Sequence, residues 1–190
     1  MMSATTTTFA ISAREPTLAV CAGRVMALAG AVFGAAHLVQ WAVVCGALPW
    51  HPAVLSVTWP AAVTTFLVFL FRLRRAGGDA ARRAGAWSRM AILAQIAAAL
   101  ALLAASAATG DWELMRWTSV VGLTLYGLAW AVAATRTRCL NMAWVSLTAF
   151  GGVAAIIIRI GTPDRYLIDA RALGLVALLP GLWLASGRRL

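Results

Sequence analysis

The sequence predicts an all-α, polytopic integral membrane protein: a bundle of six transmembrane helices with both termini cytoplasmic. Three observations predict this class. The chain is 62% hydrophobic and only 12% charged, whereas an ordinary soluble domain is about 45–50% apolar and about 25% charged. So little polar surface cannot cover a water-soluble globule. The apolar residues cluster in runs of the length a bilayer requires. The arginines collect in every second connection between those runs.

A span needs roughly 17–25 apolar residues, at about 1.5 Å rise each, to cross about 30 Å of hydrocarbon. Six stretches qualify: Val25–Cys45, Val54–Phe71, Met90–Ala108, Trp117–Ala134, Met142–Ile158 and Ala172–Ser186. Residues 1–17 read as a polar N-terminal tail and 18–190 as a single transmembrane domain. The tail lacks the positive start and short apolar core of a signal peptide. The sixth stretch is short, which suits a thinned bilayer or a re-entrant segment. Arg188 and Arg189 behind it favour a full span with a cytoplasmic stop. Gly, Pro, Asp and Asn mark most of the breaks between spans.

The loop Arg72–Arg89 sets the orientation. With it in the cytoplasm, Arg14, Arg24, Arg72, Arg74, Arg75, Arg82, Arg83, Arg89, Arg136, Arg138, Arg188 and Arg189 all fall inside. Arg116, Arg159, Arg165 and Arg171 fall outside, beside Asp111, Glu113, Asp164 and Asp169. The inner face then carries the whole net charge of +10 and the outer face is neutral. Positive-inside bias of this kind orients bacterial inner (plasma) membrane proteins. The arginine-only basic set, with abundant Ala and Gly, also reads as bacterial. Trp50, Trp112 and Trp117 near the outer interface and Trp87 near the inner one fit an aromatic belt. Arg72, Arg74, Arg75, Arg82, Arg83 and Arg89 are placed to contact anionic lipid headgroups on the cytoplasmic face. Membrane charge in short loops argues against nucleic acid as the partner.

Gly30 and Gly34 form a GxxxG step on the first span, extended back by Ala27, and the third span is dense in alanine. Small residues let helix backbones approach. The step serves packing within the chain or, as the alternative, a homodimer or another membrane protein. Pro60 and the Pro180–Gly181 pair predict kinks in the second and sixth spans.

His37 is the most notable single side chain, with Gln40 and Trp41 three and four residues on along one helix face. Arg159, at the end of AAIIIRIG, is the second group that hydrocarbon would penalise. Together His37, Gln40, Trp41 and Arg159 form a candidate ligand-binding set in an outward-opening cavity. The alternative for His37 is a neutral imidazole bonded to a neighbouring helix. A bis-histidine haem would need a second axial histidine, and His51 lies beyond the end of the same span. No Asp or Glu falls within the six stretches, which argues against a carrier built on a buried carboxylate.

No catalytic motif stands out: there is no HExxH, GxSxG or phosphate loop. No metal-ligand spacing and no cofactor motif are present, and Cys21, Cys45 and Cys139 stand alone. The expectation is therefore a non-enzymatic accessory or interaction subunit that packs against other membrane components. A small carrier or lipid- or small-molecule-binding protein is the second reading. A haem- or quinone-binding redox protein is the remote third.

Overall fold

A computed structural model describes residues 17–76 and 78–188. The tail assigned to residues 1–16, the Arg189 of the stop signal and the side chain of Trp87 lie outside the described residues. Every described element is helical: α1 (Leu18–Val44), α2 (Val54–Ala76), α3 (Gly78–Thr109), a short 3-10 turn (Trp112–Trp117), α4 (Thr118–Thr137), α5 (Leu140–Ile158) and α6 (Asp164–Ala185). Six helices are long and apolar enough to cross a membrane.

Local signals explain the boundaries. Thr17 caps α1, its hydroxyl accepting from the Val20 amide, and satisfies one of the donors a helix start leaves open. Gly46 and Gly110 follow α1 and α3 with φ of +79° and +75°, the left-handed region that glycine enters without a Cβ clash. Arg138 closes α4 in the same region, at φ 53°, and the chain reverses into α5. At 32 residues, α3 is about 48 Å long. That exceeds the hydrocarbon thickness, and its first turns carry Arg82, Arg83 and Arg89.

The short connections make the helices alternate, so the bundle has two ends. The basic end gathers Arg72, Arg74 and Arg75 from α2, Arg82, Arg83 and Arg89 from α3, Arg136 from the last turn of α4 and Arg138 just after it. Five of the six loop arginines are exposed there. Arg74 instead lays its stem against Gly85, where a Cβ would come within 2.6 Å of Cδ. The opposite end holds the α1–α2, α3–α4 and α5–α6 connections.

The sixth helix differs from the sequence expectation. It begins at Asp164 rather than Ala172 and spans 22 residues. That is about 33 Å, so it needs no thinned bilayer. Its course includes a π-helical turn over Gly174–Leu178, where the Leu179 amide bonds back to the Gly174 carbonyl. Two residues later comes Pro180. Proline brings no N–H to the carbonyl four residues back, which is Val176. The Tyr126 hydroxyl of α4 donates to that Val176 carbonyl at 2.7 Å. An orphan acceptor in an apolar interior is thereby satisfied from a neighbouring helix.

Helix α1 is central, packed against α2, α3 and α6, while α4 and α5 form a hairpin that also packs on α6. The α1–α6 seam is built from small residues. A Cβ on Gly23 or Gly30 would lie 2.5 Å from the backbone nitrogen of Ala185 or Leu178. One on Gly181 would meet Ala27 more closely still. At Gly34 the nearest atom is the Ala170 carbonyl, at an ordinary 3.8 Å. The GxxxG step is therefore covered by the chain's own sixth helix, and Gly30 makes the closer approach of the two.

One apolar cluster joins α4, α5 and α6 through Val120, Leu123, Val145, Ala149, Ile156 and Val176. A second joins α1 and α2 through Val25, Phe66 and Leu70. Between α4 and α5 the Ser146 hydroxyl donates to the Gly127 carbonyl at 2.8 Å. Between α3 and α4 the Gln95 amide donates to the Thr118 carbonyl at 3.2 Å. Helix α3 is the least covered of the six and exposes Met90, Leu93, Ile96, Leu100 and Leu103.

Candidate functional site

The opposite end of the bundle encloses a cluster of polar side chains drawn from several helices. His37 on α1 is 4% exposed and Asp169 on α6 is 4% exposed. His37 Nδ1 lies 3.7 Å from Asp169 Oδ2. That is an approach of two groups, longer than a hydrogen bond. His37 Nδ1 has no hydrogen-bond partner. The Ser119 hydroxyl at the start of α4 lies within reach of the Asp169 carboxylate.

Sequence reasoning missed Asp169. Its neighbours Asp164, Arg165, Tyr166 and Arg171 make the segment read as a loop. The signal that would have found it is Thr162–Pro163–Asp164, since Pro beside an acid at a first turn marks a helix start. Once α6 starts there, Asp169 sits a turn and a half inside the helix and faces α1. The placement of Asp169 in a loop is corrected: it is buried within the sixth long apolar helix.

Aromatic rings wall the pair. The Trp59 ring of α2 meets His37 edge-on, with centroids 5.2 Å apart. Tyr166 of α6 lies 6.3 Å from His37. Phe33, one turn back on α1, stacks on Trp59 at 5.9 Å. Toward the end of the bundle, the Arg165 guanidinium lies 4.5 Å over the Tyr166 ring and donates to its hydroxyl at 2.6 Å. Arg165 and Asp169 are four residues apart on α6, a spacing at which side chains meet. They do not pair: among the described residues, no Arg lies within ion-pair distance of Asp169.

Two further polar atoms at this end are buried without partners. Gln40 is 7% exposed and its Oε1 is unpartnered. Ser106, near the end of α3, is fully buried with its hydroxyl unpartnered. Buried polar groups are satisfied in the large majority of cases. Three unpartnered atoms, His37 Nδ1, Gln40 Oε1 and Ser106 Oγ, at one end of a small bundle are therefore a concentrated exception.

The sequence-derived set divides. His37 is in the cluster; Gln40 is buried one turn further along α1, and Trp41 is half-buried on the same helix. Arg159 is elsewhere. It caps α5 with its side chain 55% exposed and its NH1 3.8 Å from Asp164 Oδ2. Arg165 is the arginine beside His37. His51 is exposed in the α1–α2 connection, where its Nδ1 accepts from the Ala53 amide. Among the described residues, no three His, Cys, Asp or Glu side chains come together as a metal site.

The chain matches no family model, no curated protein and no solved structure.

Proposed function

We propose that this chain is a multi-pass protein of the bacterial inner membrane, with both termini cytoplasmic, that binds a small molecule or lipid headgroup at its outer end. The orientation follows from the arginines of the basic end. The observation that carries the function is the buried His37–Asp169 pair. Ionisable groups inside a membrane bundle are costly, and they commonly mark substrate and ion pathways. Here the cost is compounded by partners left unfilled at His37 Nδ1 and Gln40 Oε1.

The cluster is closed in this conformation, so a ligand enters only when α6 moves. The π-turn at Gly174–Leu178 with Pro180–Gly181 is where α6 can bend, because its ladder of hydrogen bonds is already interrupted. This is the arrangement of a carrier or lipid-handling protein rather than of an enzyme. The test is thermal unfolding in mild detergent, with and without a lipid-and-solute extract of the native membrane. A ligand stabilises what it binds. The wild type should gain stability and Asp169→Asn should not; equal gains in both would remove this reading.

An accessory role keeps one specific support, the exposed apolar face of α3 from Met90 to Leu103. The GxxxG step no longer adds to it, being covered by α6.

A further inference from the structure

We propose that the outer cluster is a receptor for a zwitterion bearing a primary ammonium and an anionic group, phosphate or carboxylate. The inference rests on the reading of this cluster as a ligand site and names its ligand class. Its basis is an unclosed pair. Arg165 and Asp169 share one face of α6 at a spacing that ordinarily forms an ion pair. The Arg165 guanidinium is instead held over the Tyr166 ring and by the Tyr166 hydroxyl. The carboxylate is left deeper, facing α1, with the Ser119 hydroxyl and the His37 ring beside it and the Arg165 charge near but outside ion-pair distance. A positive group at the rim and a negative group in the interior, on one face and unpaired, form a fixed dipole. A ligand of opposite polarity completes it.

The deep groups select the cationic end. Asp169 and Gln40 Oε1 are acceptors, and His37 Nδ1 is an acceptor when its ring proton sits on Nε2. A primary ammonium presents three N–H donors and no acceptor. Three acceptors on α1 and α6 match that inventory. A trimethylammonium presents no N–H and would leave them unfilled. At the rim, Arg165 spends one donor on Tyr166, and a guanidinium has five. The rest are available to a phosphate or carboxylate, which guanidinium recognises well.

Two sources carry this chemistry: the headgroup of phosphatidylethanolamine and a free zwitterion such as phosphoethanolamine or glycine. The full chain in nanodiscs is tested by native mass spectrometry. The discs hold equal parts phosphatidylethanolamine, phosphatidylcholine and phosphatidylglycerol with matched acyl chains. If the lipid is the source, phosphatidylethanolamine should be retained at least roughly tenfold over the other two, the ratio set by losing charge-assisted hydrogen bonds. Gln40→Met and Asp169→Asn should each abolish the preference, and Arg159→Gln should leave it intact. If the source is soluble, phosphoethanolamine or glycine should instead bind and raise the unfolding temperature. Wild-type protein that retains phosphatidylcholine or phosphatidylglycerol as well as phosphatidylethanolamine, and is unmoved by the soluble zwitterions, overturns the zwitterion assignment but leaves a ligand site. Wild-type protein that retains no lipid and responds to neither solute overturns both.

Discussion

Removing the Tyr126 hydroxyl tests how the sixth helix tolerates its interruption. Tyr126→Phe deletes one oxygen and leaves the ring on the α4–α6 core. The Val176 carbonyl then loses its 2.7 Å donor. Val176 is fully buried, so water does not replace it, and Pro180 has no N–H to offer. An average interhelical hydrogen bond in a membrane protein contributes about 0.6 kcal/mol, with about 1.7 at most. An acceptor left buried and unsatisfied costs about 1–3 kcal/mol. With the Val176 carbonyl buried, the second figure governs, and a loss of about 1.5–2 kcal/mol is expected. The assay is equilibrium unfolding in detergent–lipid mixtures, run as a double-mutant cycle with Pro180→Ala. Alanine restores the missing N–H. Tyr126→Phe should therefore cost less than about 0.5 kcal/mol in the Pro180→Ala background. An undiminished cost there would refute the claim that Tyr126 answers the proline.

Other outcomes follow from the same geometry. Gly30→Ala should destabilise by about 1–3 kcal/mol, because its Cβ would meet backbone and not a movable side chain. Gly34→Ala should stay within about 0.5 kcal/mol of wild type, since its nearest neighbour is at 3.8 Å; both are read by the same unfolding assay. Arg159→Gln should change stability by no more than about 1 kcal/mol, because its partner at 3.8 Å is as exposed as it is. With Cys21, Cys45 and Cys139 replaced by Ser, since Cys45 is itself exposed at the opposite end, a cysteine at the exposed Asp79 position should resist a membrane-impermeant thiol reagent added to intact cells and react after lysis. Labelling in intact cells would reverse the proposed orientation.

The fold class was readable because bilayer-length apolar runs are a strong, local signal. Helices α2, α3 and α5 contain the stretches expected for them, α1 and α4 each miss one end by a single residue, and α3 overruns its stretch by the basic turns before Met90. The sixth was misjudged at its start because hydropathy averages over a window. Four charged residues from Asp164 to Arg171 outweighed the apolar ones. A helix that uses its polar face internally looks, by hydropathy alone, like a loop. The candidate site was half legible for the same reason. His37 and Gln40 stood out as isolated polar residues in an apolar run. Asp169 and Arg165 were camouflaged by charged neighbours such as Asp164 and Arg171. Arg159 drew attention because it follows three isoleucines, but the chain turns at that residue and its side chain points outward. The GxxxG step was legible as a close approach. Which helix it approaches depends on tertiary arrangement, and no local pattern encodes that.

The central claim is that the buried His37–Asp169 cluster exists to hold a ligand. Native mass spectrometry of wild type and Asp169→Asn, each purified from the native membrane in mild detergent, tests it most directly. The account predicts a bound mass on the wild type that is absent from an equally folded Asp169→Asn protein. A bare wild type, or the same bound mass on both proteins, would contradict it.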